Sequence, residues 1–452
     1  MSDSKINLES VYNNLFLNKE FLTSEDKDKI LEETSILEKR ISQDLKRLME
    51  LGRLQDYENL LKQGFDHKSV IDFIYQDNET IAAAEKKLFE HLRLNRVMMF
   101  GYPANMSKDS SLVGYFRCLE SQMYLMNSCG DAYNPGNYRM NNAETELAII
   151  DEVKKNLGLD ANKYWGYINS GGTEGNFWGL REGIFQFPDS VVYVSKDAHY
   201  SVAKFLEMVN RVEVEVVDVI NGKINNEQLF EKINKNKDKA AILLLTLGTT
   251  ALGSVDDIEF IKNRLSELNI PHYIHLDAAM YGGIPKNAKN SPNTGIVDKL
   301  NKLNIDSISI SLHKYIGSHK VNGILLAQKQ SINNYIDYIG QRDISILGSR
   351  DIAPFSTLQR IKELYNRTPS DEYYKNVEYF EKLLNKNDIN YIKGHEFGNT
   401  FVIDKPSDSI CKKFQLATFD FNGKLSAHII VFPYHTHESM NELITEIKND
   451  KK

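Results

Sequence analysis

Lys314 closes the run Ser309-Ile-Ser-Leu-His-Lys314, which begins as a short apolar strand. A lysine there can meet a phosphate as a point charge, serve as a partly desolvated amine that forms a Schiff base, or be an ordinary surface lysine. Asp277 ends a second apolar stretch, His275-Leu-Asp-Ala-Ala279. Buried without a partner it would be costly, so it either meets a cation or belongs to a structural salt bridge. A third segment, Asn169-Ser-Gly-Gly-Thr-Glu-Gly-Asn176, follows a strand and opens a helix. Gly171 and Gly172 let the backbone approach an anion, free N–H groups of the first helical turn bind it, and Thr173 adds a hydroxyl. The plainer reading is a tight strand-to-helix turn. Neither the P-loop nor the dinucleotide spacing of glycines is present, so nucleotide use is not indicated. His199, in Asp197-Ala-His-Tyr-Ser201, and Gly248-Thr-Thr250 follow two further strands.

These segments need a frame. From about residue 140, short aliphatic runs alternate with helical stretches: 165–169, 191–194, 212–217, 241–247, 273–276 and 307–311, with helices at 173–185 and 257–268 between them. That alternation means βαβ units and a buried, mostly parallel sheet. Each chemical segment then lies at the carboxyl end of its own strand, where such sheets bind ligands. Five independent structural coincidences on one sheet edge are improbable. Together they match the needs of pyridoxal phosphate: a phosphate cup, a ring-stacking side chain, a carboxylate for the pyridinium nitrogen and a lysine for the imine.

Composition sets the outer bounds. The 452 residues allow about three units of roughly 150 residues, or one large domain with appendages. Forty-one per cent hydrophobic and 10% aromatic residues supply a core, which excludes disorder over most of the chain. A net charge of −7 is no electrostatic footprint for nucleic acid. Cys118, Cys129 and Cys411 form no CxxC pair, so neither a disulfide framework nor a thiolate metal site is expected, and a reducing, cytoplasmic setting is. No apolar run approaches the ~18 residues of a membrane span. Residues 1–94 read as a helical N-terminal extension, with apolar Ile30, Leu37, Ile41, Leu45 and Leu48 at helical spacing and a second helix at 80–92. Residues 95–355 form the large α/β domain, and 356–452 a small α+β domain with a helix at 371–385 and strands at 400–403 and 427–432.

The chain from about residue 98 onward resembles the pyridoxal-phosphate-dependent histidine decarboxylases, a branch of the group II amino-acid decarboxylases with fold-type-I architecture. The resemblance rests on Gly101-Tyr-Pro-Ala104, Asn127-Ser-Cys-Gly-Asp131, the 165–176 and 193–204 segments, Gly248-Thr-Thr250, His275-Leu-Asp-Ala-Ala279, His313-Lys-Tyr-Ile-Gly317, Ile336-Asp-Tyr-Ile-Gly340 and Gly348-Ser-Arg350. It implies that Lys314 bonds the cofactor as a Schiff base, Asp277 pairs with the ring nitrogen, and His199 stacks on one ring face with Ala279 against the other. Thr249 would lie near the ring hydroxyl. Gly171, Gly172, Thr173, Ser311 and His313 would hold the phosphate. Tyr338, on a segment that is mobile in such enzymes, would return a proton after carbon dioxide leaves. Tyr102, Ser349, Arg350 and Asp351 are candidates for contact with the substrate or across a homodimer interface. No metal is implied.

One departure bears on substrate. After Gly348-Ser-Arg350 this branch usually continues Asn-Gly; here Asp351-Ile-Ala-Pro354 follows. The new carboxylate either favours a cationic substrate or amine product, or is a solvated charge. The leading expectation is an L-amino-acid decarboxylase, with histidine first and serine as rival. A carbon–carbon lyase or aminotransferase shares the fold. A non-catalytic scaffold is disfavoured by intact Lys314, Asp277 and His199.

Overall fold

The computed structural model describes residues 97–105 and 127–450, apart from 135, 138–140, 210–211, 289, 319, 330–334, 352–354 and 367–371. The helices expected at 30–48 and 80–92, the 1–94 extension and Cys118 lie outside the described residues. Those that are described belong to one compact unit.

The frame is a seven-stranded sheet. In chain order its strands are β1 (Tyr164–Asn169), β2 (Ser190–Ser195), β3 (Glu213–Val217), β4 (Ala240–Thr246), β5 (His272–Asp277), β6 (Ser307–Ser311) and β7 (Gly323–Gln328). In space they run β1-β7-β6-β5-β4-β2-β3. All pairings are parallel except those of β7, which runs antiparallel to both β1 and β6. Central strands covered on both faces read as unbroken apolar runs, as Ala-Ala-Ile-Leu-Leu-Leu-Thr of β4 does with every residue buried. The antiparallel β7, Gly-Ile-Leu-Leu-Ala-Gln, was not expected from the sequence.

Two helices matter most for the site. Helix α1 (Ala143–Asn156) buries Glu146, Ile149, Ile150 and Val153, the i, i+3, i+4, i+7 stripe of a helix facing a core. Helix α2 (Gly172–Gln186) faces the sheet with glycines instead, at 172, 175, 179 and 183. The spacing puts them on one face, and the missing side chains bring the helix backbone onto β5 and β6. A Cβ at Gly175 would lie 2.2 Å from Ser309 Oγ, and one at Gly179 would lie 2.0 Å from His275 Nδ1.

A smaller antiparallel sheet follows: β8 (Thr400–Asp404), β9 (Ala417–Phe421) and β10 (Lys424–Ile430), ordered β8-β10-β9. Its hairpin turns through Asn422 (φ 54°) and Gly423 (φ 79°), the two left-handed positions that a tight two-residue turn requires. A second hydrophobic core packs here around Phe380, Phe401, Phe414 and Leu443, and it includes Phe100 from far upstream. Phe100 is stitched in by its backbone, donating to Phe414 O (3.1 Å) and accepting from Ile430 N (2.6 Å). Five residues on, Asn105 N donates to Lys314 O (2.9 Å). The 97–105 segment thus ties the small sheet to the lysine.

Candidate active site

Strand register gathers the site. Asp277, the last residue of β5, stands opposite Thr246 of β4 and Ser309 of β6. Gly323 of β7 stands opposite both Asn169 and Ser311. The chemistry-bearing segments therefore end level with one another along the sheet.

The Gly171–Gly172 turn has the form of an anion cup. Gly171 has φ 122°, a conformation open to glycine and hostile to other residues. A Cβ at Gly172 would lie 2.8 Å from Ser311 Oγ and 3.2 Å from Ala279 Cβ, so any side chain there would fill the space. Ser311 Oγ accepts from Gly172 N (3.2 Å), and Ser309 Oγ donates to Gly172 O (3.2 Å). Thr173, in the first turn of α2, is exposed and free to turn its hydroxyl outward. His313 Nδ1 bonds Asn322 O (2.9 Å); a carbonyl only accepts, so Nδ1 carries the proton and Nε2 is left for another partner. Its ring carbon Cε1 approaches Gly171 closely.

Asp277 is 6% exposed and accepts two hydrogen bonds, from Ala279 N on Oδ1 (3.0 Å) and from Asn176 Nδ2 on Oδ2 (2.8 Å). Lys314 feels that carboxylate. Burial lowers the lysine pKa below its usual value, and the Asp277 charge opposes the shift. Burial, and then the Lys314 charge, lower His199 in the same way, while Asp277 works against them. His199 Nδ1 is fixed against Ser201 Oγ at 2.8 Å. Thr249 is buried, its Oγ1 accepting from Ser254 N (2.9 Å).

Not every expected residue joins this group. Tyr338 is 87% exposed, whereas Asp277 is buried and Lys314 and His199 are half-buried. Tyr102 lines a surface cleft with Lys405, Cys411 and Gln415. Ser349 Oγ accepts from Asn127 Nδ2 (2.6 Å) in an exposed position. Asp351 is paired with Lys320 (3.1 Å). Arg350 is buried, and its donors bond within this chain. They reach Ile168 O (3.0 Å), Ser345 Oγ (3.0 Å), Gly130 O (3.1 Å) and the Glu146 carboxylate (3.4 Å). It fastens β1, the strand that leads into the anion cup.

Sequence reasoning passed over several residues here. Asn176 and His275 were visible only as flanks of the motifs that held them. Glu174 was too; its carboxylate accepts from Ser170 N (2.8 Å) and Tyr167 OH (3.0 Å), bracing the turn from behind. The signal that could have found Asn176 is its place among the glycines of α2.

The groups present fit pyridoxal phosphate. The cup that a Cβ would fill suits its phosphate, the buried carboxylate suits a protonated ring nitrogen, and the desolvated amine suits its carbonyl carbon. Among the described residues no cluster of three or more His, Cys, Asp or Glu could hold a metal, and no helix is long and apolar enough to cross a membrane.

Comparison with known proteins agrees with the geometry. The pyridoxal-dependent decarboxylase conserved domain matches residues 187–366. Histidine decarboxylase of Pseudomonas entomophila is 31% identical over 384 residues, covering 81% of this chain and 91% of that protein. Serine decarboxylase 1 of Oryza sativa subsp. japonica is 30% identical over 357 residues, covering 77% and 71%. Among solved structures, L-methionine decarboxylase of Streptomyces sp. 590 superposes with a TM-score of 0.70 at 19% identity, over 83% of this chain and 95% of that one. The expected fold-type-I α/β architecture is therefore the observed one. On sequence and fold together, the chain belongs to the pyridoxal-dependent decarboxylases, enzymes that use pyridoxal phosphate to remove the carboxyl group of an amino acid.

Proposed function

We propose that this decarboxylase acts on L-histidine, releasing carbon dioxide and the corresponding primary amine. What supports histidine is its relatives: a histidine decarboxylase aligns over 91% of its own length, against 71% for the serine decarboxylase. The placement of Lys314, Asp277 and His199 at the ends of β6, β5 and β2 of one sheet supports the assignment of roles. Bound pyridoxal phosphate supplies the electron sink for the bond that breaks. The chain supplies the rest. Lys314, held toward its neutral amine by burial, is the group that bonds the cofactor. Asp277 faces the ring nitrogen and holds the proton on it. His199 covers one ring face, Ala279 the other, and Thr249 lies by the ring hydroxyl. The phosphate belongs to Gly171, Gly172, Thr173, Ser311 and His313.

Exposed Tyr338, Tyr102, Ser349 and Asp351 act in this reading across a homodimer interface, with Tyr338 delivering the proton that replaces the carboxylate. Residues 95–355 carry the cofactor and 356–452 close over it, in a cytoplasmic enzyme. Serine is the second reading, carried by the rice enzyme's 30% identity over 77% of this chain.

The test is a carbon dioxide and amine release screen over the twenty amino acids with the cofactor-loaded protein. Histidine should exceed serine by at least about tenfold in kcat/KM. Serine ahead of histidine reverses the substrate assignment, and a carbon dioxide yield from neither would overturn both.

A further inference from the structure

Behind Asp277 runs a line of polar side chains that no role above uses. Asn176 Nδ2 meets Asp277 Oδ2 at 2.8 Å, Asn176 Oδ1 meets His275 Nε2 at 3.0 Å, His275 Nδ1 meets Ser307 Oγ at 2.7 Å, and Ser307 Oγ meets Tyr273 OH at 2.9 Å. All four residues are essentially inaccessible to solvent. Buried polar groups of this kind are costly unless satisfied, and here each satisfies the next.

The line has a direction. An ionised carboxylate only accepts, so the Asn176 amide nitrogen faces Asp277 and its oxygen faces His275. That oxygen also only accepts, so the His275 proton is on Nε2. Nδ1 is then an acceptor and takes the Ser307 hydroxyl proton, which leaves the Ser307 oxygen to accept from the Tyr273 phenol. Every donor points toward Asp277. Burial pushes His275 down to about 4, which keeps its ring neutral with the single proton that this order requires. Burial also raises Tyr273 well above the usual phenol range, so it stays protonated as a donor. The glycine face of α2 makes the contact possible, because Gly179 leaves the room that the His275 ring occupies.

We propose that Asn176, His275, Ser307 and Tyr273 are positioning residues that fix the Asp277 carboxylate toward the cofactor ring nitrogen. This rests on the reading of Asp277 as the ring-nitrogen partner. Lys314 and His199 also feel the Asp277 charge, and Asp306 and Glu182 act on Tyr273 at the far end of the line. The residues act by aligned hydrogen-bond dipoles, with no proton passed along them.

The experiment measures two quantities on purified protein: the dissociation constant for pyridoxal phosphate added to the cofactor-free form, and the ¹⁵N chemical shift of bound, ring-labelled cofactor, which reports whether the ring nitrogen is protonated. Asn176→Leu, close in shape but without donors, should weaken binding about 10- to 100-fold and move the shift toward neutral pyridine. His275→Phe should do less, Ser307→Ala less again, and Tyr273→Phe least, because each lies one bond further from the carboxylate. Ser307→Ala and Tyr273→Phe each delete one hydroxyl and keep the test open if the larger changes prevent folding. Asp277→Asn separates the two claims. If Asp277→Asn alone moves the shift and the other four variants match the parent, the line is packing only and the proposal falls while the Asp277 reading stands. If Asp277→Asn leaves both quantities unchanged, the Asp277 reading falls and the proposal with it.

Discussion

Gly179→Ala sets two effects of opposite sign against each other. In a helix interior, alanine is favoured over glycine by about 1 kcal/mol, so an unobstructed site would gain stability. At Gly179 the new Cβ would sit 2.0 Å from His275 Nδ1 and 2.4 Å from His275 Cγ. Reaching ordinary contact at 3.4 Å needs a movement of about 1.4 Å. The imidazole cannot rotate away without losing Ser307 on one nitrogen and Asn176 on the other. Helix α2 must therefore lift, and its first turn carries Gly172 N away from Ser311 Oγ, already at 3.2 Å. Overpacking costs about 1–3 kcal/mol, and here two hydrogen bonds are strained besides, so the loss outweighs the propensity gain. Urea unfolding followed by circular dichroism should show Gly179→Ala less stable by at least about 1 kcal/mol, with cofactor binding weakened about tenfold or more. Gly183→Ala is the internal comparison. Its nearest contacts, Ile242 Cγ2 and Tyr273 Cδ1, are at 3.0 Å, so propensity and crowding nearly cancel. Gly348→Ala, with nothing within 4 Å, should be silent. A Gly179→Ala protein as stable as its parent, or more so, would refute the close-approach argument.

Three further outcomes follow from buried or paired charges. Burial lifts Asp256 from its ordinary 3.8 to about 6, against two backbone bonds from Ile224 N (2.8 Å) and Thr246 N (2.7 Å). A raised folded-state value means its contribution favours folding below about pH 4 and is lost as pH climbs through 6, by about 3 kcal/mol; Asp256→Asn should flatten the unfolding free energy between pH 4 and 6, and an unchanged slope in the variant counts against it. Arg350→Met removes the cation beside buried Glu146, which keeps the bond from Ile168 N (2.8 Å), and should cost about 3–5 kcal/mol, part of it recovered by Glu146→Gln in the same chain; strict additivity in that double-mutant cycle would show that the two do not act as a pair. Asp351→Asn breaks an ion pair with Lys320 whose carboxylate is largely exposed, so denaturation midpoints should move by less than about 1 kcal/mol, and a larger loss would mean that Asp351 is more than a surface charge.

The site stations were readable in the sequence because each chemical residue follows an apolar strand, and strand ends of a parallel sheet gather in space by topology alone. The supports were not, because each depends on knowing which element lies against which. The spacing of Gly172, Gly175, Gly179 and Gly183 is plain in the chain, but its meaning needs β5 and β6 beneath it. Glu146 and Arg350 are 204 residues apart, so their pairing had no local signal. Nothing in the apolar run of β7 marks it as antiparallel, since hydrophobicity does not encode direction. The β9–β10 hairpin did have a signal, Asn422-Gly423 between alternating residues, and it could have been read. Tyr338 is the opposite case: the motif around it was recognisable, yet in this chain its side chain stands exposed.

The charge pattern of the pocket follows from exclusion more than from pairing. Burial is the first cause lowering Lys314, His199, His313 and His275, and Asp277 is the counter-charge acting on Lys314, His199 and His275. Desolvation thus strips positive charge from the imidazoles while Asp277, fed by Ala279 N and Asn176, accepts on both oxygens. The carboxylate is then shared between the lysine and, on the proposed reading, the ring nitrogen. A permanent cation at position 199 would compete for it and weaken the hold on the ring proton. On the proposed reading, a neutral imidazole at that position covers the ring without drawing on the charge that the ring requires.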